Sequence, residues 1–181
     1  MNLKEYLSGI NNTWKTDTRT NELAHCEMAL VEEIGEIAGW YKKHLFFGVP
    51  KEKLIINLKG EFGDLLYYIV KYSELLNNTN YLNSTLNRNK LTKDVNVTKE
   101  LSKMTHSLST ILKAGEGFSM TNIALNDVAD SLTMLILNEG WTVEEIMKSN
   151  LAKLKVRYGE LFNPIQADPN QRNLKLEDKA L

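Results

Sequence analysis

The stretch that decides the fold is residues 58–76, which read LKGEFGDLLYYIVKYSELL. Apolar residues recur in it at intervals of 4, 3, 4, 3 and 4. They are Leu58, Phe62, Leu65, Ile69, Tyr72 and Leu76. This period is typical of one face of an α-helix. The sequence therefore predicts an amphipathic helix from about Lys53 to Leu76 that ends at Asn77-Asn78.

A second apolar period precedes this stretch. Its residues step by 4, 3, 4 and 4, and they are Leu30, Ile34, Ile37, Tyr41 and Leu45. The pattern predicts a helix from about Asn21 to Leu45 that stops near Gly48-Val49-Pro50. Because the connector is short, the two helices are expected to pack as antiparallel neighbours, forming a hairpin over 21–76.

The rest of the chain predicts further helices around a polar linker. Residues 77–97 are rich in Asn, Thr, Ser and Lys, which favours a linker. Two helices are expected within 98–138, with Gly115 and Gly117 in the turn between them. A closing helix is expected to begin where Thr142 and Glu145 fit a capping box and to end at Tyr158, before Gly159.

The predicted architecture is a single all-α domain over 1–163, a bundle of about five helices in two antiparallel hairpins. The second hairpin and the closing helix fill 98–160, and residues 164–181 form a polar tail expected to be mobile or to serve oligomer contacts. The segment 61–66 aligns weakly with 127–132, which suggests a degenerate internal duplication. In that interpretation the first hairpin carries the chemistry and the second is its structural partner.

Composition and charge exclude several classes of protein. The chain has 181 residues, 22 Lys plus Arg against 23 Asp plus Glu, and a net charge of −1, so no global field draws it to nucleic acid or anionic lipid. The single cysteine, Cys26, cannot form an internal disulfide. No secretory signal and no run of roughly 20 apolar residues is present. We expect a soluble, cytoplasmic protein with no nucleic-acid or membrane partner.

Two acidic pairs lie beside the predicted core. Glu33 and Glu36 each precede a core residue of the first helix, and Glu61 and Asp64 do so in the second. Four carboxylates can then converge on one groove, where their repulsion would be costly without a hard divalent cation. Acidic pairs are also common on solvated helical faces, so the spacing alone leaves both interpretations open.

Two glycines strengthen the metal interpretation. Gly35 and Gly63 precede Glu36 and Asp64 at equivalent places, and each costs about 1 kcal/mol relative to Ala in a helix interior. We therefore expect a facing helix or a ligand to approach the backbone at both positions.

The motif Glu32-Glu33-x-x-Glu36, followed 25 positions later by Glu61-x-x-Asp64, resembles the MazG-like all-α nucleoside triphosphate pyrophosphohydrolases. The flanking segments 42–48, 61–68 and 150–158 are also similar to the small phage and bacterial members. The resemblance covers 21–76 and 126–160. The middle of the chain departs from the simpler members, in which the Glu-x-x-Asp helix leads almost directly into the closing helix.

The resemblance implies hydrolysis of a (d)NTP to the (d)NMP and pyrophosphate. It implies Mg²⁺, with Mn²⁺ as a substitute, at Glu33, Glu36, Glu61 and Asp64, with Glu32 as a further ligand or an outer acceptor. Either Glu33 or Glu36 could serve as the general base. Two alternatives stay open, a base-selective dUTPase or dCTPase of the same superfamily and a non-catalytic helical interaction protein. A homodimer is the default expectation.

The closing helix and one tryptophan supply candidate substrate contacts. Lys153 and Arg157 are one turn apart and could hold phosphate oxygens, with Asn150 one turn earlier. Cations in a last helical turn also stabilise the helix dipole, which is the simpler interpretation. Trp40, one turn beyond Glu36, could stack on a base, as could Trp14, although packing in the core is a commoner use of both.

Overall fold

The computed structural model describes residues 1–88, 90–91, 94–114, 118–159 and 177. Over these residues the chain forms seven helices and no strand. They are α1 (Leu3–Thr13), α2 (Arg19–Phe47), α3 (Lys51–Leu75), α4 (Thr79–Leu86), α5 (Val97–Ala114), α6 (Phe118–Asn138) and α7 (Val143–Tyr158). The all-α class is confirmed, whereas the number of five helices is wrong because α1 and α4 were not predicted.

The two additional helices are short and owe their order to packing. Helix α1 begins with a capping box between Asn2 and Glu5 and buries Tyr6 and Ile10. Helix α4 has eight residues and lies inside the predicted linker. It buries Leu82 and Leu86, which are too few apolar residues to show a period in the sequence.

Helices α2 and α3 are the antiparallel pair that the sequence predicts. They pack along their lengths and are joined by residues 48–50. Gly48 ends α2 in the left-handed conformation with φ of 70°, which a residue without Cβ adopts at no steric cost. Helices α5 and α6 pack on each other in the same way, and α7 packs against α3 and α1.

The two glycines that interrupt α2 and α3 differ in their surroundings. A Cβ added at Gly63 would lie 2.9 Å from Cβ of Asn150, so α7 approaches α3 closely there, as predicted. A Cβ added at Gly35 would meet no atom of the described chain within 4 Å, so the expected close approach is absent at that position.

The remaining sequence predictions concern a turn, the tail and the membrane. The glycines of the predicted turn, Gly115 and Gly117, lie outside the described residues. The tail 164–181 lies outside the described residues except for Glu177, which is buried. None of the helices described above is both long and apolar enough to cross a bilayer.

Candidate metal centre

Three carboxylates converge between α2 and α3. One oxygen each from Glu33, Glu61 and Asp64 lies within 4.8 Å of the others. Glu61 and Asp64 are three residues apart in α3, so they share the helix face that packs against α2. A group of this kind could hold a metal ion, because hard divalent cations are bound by carboxylate oxygens.

Glu33 is the most constrained member of the group. Its side chain is 9% exposed, and its Oε2 is buried with no hydrogen-bond partner among the described residues. Burial, followed by the charges of Asp64 and Glu61, raises the pKa of Glu33 to about 9. A buried carboxylate oxygen without a donor is costly, and a cation would remove that cost. The site therefore fits a metal on its own geometry.

Glu36 lies beside the three carboxylates rather than inside the tight group. It is exposed and shares a hydrogen bond with Glu61. Burial, followed by the charge and hydrogen bond of Glu36, raises the pKa of Glu61 to about 7. The indole Nε1 of Trp40 donates to Glu61 Oε1 at 3.1 Å and so lowers that pKa in part.

Helix α7 holds Asp64 from the other side. Lys153 Nζ forms an ion pair with Asp64 Oδ2, and Asn150 Nδ2 donates to Oδ1 at 3.1 Å. Both side chains are buried, Asn150 at 1% exposure and Lys153 at 5%. The predicted substrate-binding residue Asn150 thus contacts the acidic cluster, and Lys153 neutralises part of its charge.

A cavity of about 690 Å³ opens next to this cluster. All seven charged residues predicted for the site line it. They are Glu32, Glu33, Glu36, Glu61, Asp64, Lys153 and Arg157. Asn150 donates a hydrogen bond to Asp64, and Trp40 donates one to Glu61. Both therefore contact residues that line the cavity. One face of the Trp40 ring carries Lys43 Nζ, 4.0 Å from its centroid, so Trp40 is less available for base stacking than the sequence suggested.

An aromatic wall forms another side of the cavity. Trp14, His25, Tyr67 and Tyr68 all line it. The Trp14 and His25 rings are stacked with centroids 4.9 Å apart, and the Tyr67 and Tyr68 rings meet edge to face at 5.1 Å. Of these four residues, only Trp14 was predicted from the sequence to stack on a base. A signal for the tyrosines was present, since they follow Asp64 by three and four residues and so share its helix face.

Arg157 lines the cavity but has an internal partner. Its Nη2 and Nε donate to Glu177 Oε2 at 2.6 Å and 3.0 Å, respectively. Burial opposes the charge, but the hydrogen bond and the charge of Glu177 raise the pKa of Arg157. Lys15 and Lys53, which the sequence analysis did not select, add further positive charge to the cavity lining.

Comparison with known proteins adds no relative. No protein-family model, no curated protein and no solved structure matches this chain.

Proposed function

We propose that this protein is a Mg²⁺-dependent nucleoside triphosphate pyrophosphohydrolase of the MazG-like type. It would convert a (d)NTP and water to the (d)NMP and pyrophosphate. The observation that carries the proposal is the convergence of Glu33, Glu61 and Asp64, with a partnerless buried oxygen on Glu33, at the wall of a large cavity. A surface acidic patch has no reason to bury such an oxygen.

Glu33, Glu61 and Asp64 would hold the ion, with Mn²⁺ able to replace Mg²⁺ and with Glu36 and Glu32 at its margin. When bound, such an ion neutralises triphosphate charge and lowers the pKa of a coordinated water. Lys153 limits the repulsion within the cluster by pairing with one Asp64 oxygen. The other Asp64 oxygen accepts from the amide of Asn150.

The two candidate bases differ in their access to solvent. Glu33 is buried in the ion-binding group, whereas Glu36 is exposed and lines the cavity. We infer that Glu36 accepts the proton of the attacking water. The water oxygen forms a bond to the α-phosphorus, and the bond from that phosphorus to the bridging oxygen breaks. Pyrophosphate leaves with the bridging oxygen and its electron pair.

The rest of the cavity suits a nucleotide better than a simple phosphate. Lys15 and Lys53 supply cations for the phosphate chain, and Arg157, which is held by Glu177, lines the same cavity. The wall formed by Trp14, His25 and Tyr68 offers aromatic faces and edges to a base. A base-selective dUTPase or dCTPase would use the same groups, and a panel of triphosphates separates these activities.

We also propose that the protein acts as a homodimer. Leu45, Phe46 and Phe47 at the end of α2, and Ile56 in α3, are each at least 55% exposed. These large apolar side chains lie close in sequence to the turn between α2 and α3, and a second copy could cover them. Sedimentation velocity should give a dimer mass for the wild type and a shift toward monomer for Phe46→Ser combined with Phe47→Ser. An unchanged dimer would place the interface elsewhere.

The activity is tested by pyrophosphate release with Mg²⁺ and mixed dNTPs. Glu36→Gln and Asp64→Asn should each reduce release by at least about 100-fold, because they remove the base and an ion ligand. Asp127→Asn is the matched control, since Asp127 is an exposed carboxylate on α6 at the position aligned with Glu61. Equal release by parent and variants would reject the assigned residues. No release from any triphosphate would favour a helical interaction protein.

A further inference from the structure

Tyr6 connects the unpredicted helix α1 to the acidic cluster. Its side chain is fully buried, and its hydroxyl donates to Asn150 Oδ1 at 2.8 Å. The hydroxyl is farther from the carbonyl oxygen of Gly63, at 3.5 Å. Asn150 in turn donates to Asp64. A chain of two hydrogen bonds therefore runs from Tyr6 to a carboxylate of the ion-binding group.

Asp64 and Tyr6 together hold the Asn150 amide in one orientation. The two ends of a carboxamide have nearly the same shape, but one donates and the other accepts. The Asp64 carboxylate can only accept, so it takes the amide N–H, and the Tyr6 hydroxyl then supplies the donor that the buried Oδ1 needs. A reversed amide would turn its oxygen toward the Asp64 carboxylate, and the donor to that carboxylate would be lost.

The packing around Asn150 leaves little freedom. A Cβ added at Gly63 would lie 2.9 Å from Asn150 Cβ and 3.1 Å from its Nδ2. The Asn150 side chain, which projects from α7, therefore packs tightly against the backbone of α3. Burial, followed by the charge of Asp64, raises the pKa of Tyr6 well above its usual value, which favours the protonated hydroxyl as a donor.

We propose that Tyr6 is a positioning residue for ion binding, which acts on Asp64 by fixing the amide of Asn150. This role rests on the proposed function, because it assumes that Asp64 is an ion ligand. Outer groups that orient a ligand commonly change metal affinity by about 10–100-fold when they are removed. Tyr6 acts one hydrogen bond further out, so the expected loss is smaller.

The test is the affinity for Mn²⁺ alone, measured by titration calorimetry or by the EPR signal of free Mn²⁺. Tyr6→Phe keeps the ring and should weaken binding by about three- to tenfold. Tyr72→Phe is the matched control, because Tyr72 is 1% exposed and its hydroxyl donates to Glu27 at 2.8 Å, outside the cluster. Tyr72→Phe should bind Mn²⁺ like the wild type at a comparable loss of thermal stability.

A double-mutant comparison tests the route. If Tyr6 acts through Asn150, then Tyr6→Phe should weaken Mn²⁺ binding no further in an Asn150→Ala background. Equal affinities for the wild type and Tyr6→Phe, or full additivity with Asn150→Ala, would overturn the positioning role alone. A wild type that binds no Mn²⁺ would overturn both this role and the proposed function. Mn²⁺ binding that depends on Tyr6, without pyrophosphate release, would support the role and reject only the hydrolysis.

Discussion

The helix pairs α2/α3 and α5/α6 both bury a glutamate, but they satisfy it differently. Glu100 in α5 is 3% exposed, and its carboxylate accepts hydrogen bonds from Lys103 at 2.9 Å and from Ser131 at 3.0 Å. Glu33 in α2 is 9% exposed and leaves Oε2 without a partner. The buried glutamate of the second pair is satisfied by groups of α5 and α6 themselves, whereas the buried glutamate of the first has one oxygen without a partner among the described residues.

The aligned aspartates show the same contrast. Asp130 in α6 pairs with Arg88 at 2.7 Å, with both side chains more than a third exposed, so this ion pair contributes little. Asp64 lies among two other carboxylates, and its partner Lys153 is almost fully buried. Similar packing in the two pairs therefore coexists with very different electrostatics. Whether a duplication produced them stays a prediction.

The largest expected effect comes from exchanging the two buried glutamates for glutamine. Glu33→Gln removes an ion ligand and should reduce pyrophosphate release and Mn²⁺ affinity by at least about 100-fold, with the fold intact. Glu100→Gln should leave the activity per folded molecule unchanged and lower the free energy of unfolding by about 1 kcal/mol, since it weakens a satisfied hydrogen-bonding group. Equal losses of activity in Glu33→Gln and Glu100→Gln would contradict the assignment of ion binding to α2/α3 alone.

A smaller effect is expected in the metal-free protein, whose free energy of unfolding should depend on pH through Glu33 and Glu61. The pKa values of Glu33 and Glu61 are about 9 and about 7, above the unfolded value of about 4.5. The native state then binds more protons than the unfolded state, so stability falls as pH rises from about 4.5 and becomes level near pH 9. In EDTA, the melting temperature should fall by several degrees between pH 6 and pH 9.

Two comparisons check the origin of that slope. Glu33→Gln should flatten it above about pH 7, where Glu61 has already ionised and glutamine carries no proton to lose. Glu100→Gln should leave it as in the wild type. Mn²⁺ should raise the melting temperature more at pH 8 than at pH 6, since binding requires the ionised carboxylates. A slope that persists unchanged in Glu33→Gln would contradict the assignment of its cause.

The sequence predicted the long elements because their apolar periods are local, and it predicted the acidic cluster because the short connector makes the two acidic helices neighbours. The 58–76 period specifies α3, and three-residue spacing places Glu61 and Asp64 together without any knowledge of the fold. Tyr6 could not be found in this way, because its partner Asn150 is 144 residues away in the chain. Helix α4 was not predicted because only two leucines form its buried face. Contacts made at long range leave no period in the sequence.

The smallest expected effects come from replacing Gly35 in α2 and Gly63 in α3 by alanine. The two variants compare a glycine that faces open space in the described chain with one that a neighbouring helix approaches closely. Gly63→Ala introduces a Cβ that would lie 2.9 Å from Asn150 Cβ, closer than real Cβ contacts, so α7 must shift. It should lower the free energy of unfolding by about 1–3 kcal/mol and weaken Mn²⁺ binding through the displaced Asn150. Gly35→Ala meets no atom of the described chain and should stabilise α2 by up to about 1 kcal/mol.

Chemical denaturation of both variants at several protein concentrations measures these differences and also bears on the dimer. If Gly35→Ala stabilises the fold and leaves the oligomeric state unchanged, the open surface at Gly35 faces solvent. If Gly35→Ala instead dissociates a dimer, a second copy of the chain approaches the backbone at Gly35. The close approach expected at both glycines would then be made by α7 of the same chain at Gly63 and by the second copy at Gly35. Loss of stability in Gly35→Ala without dissociation would contradict the open surroundings of that residue.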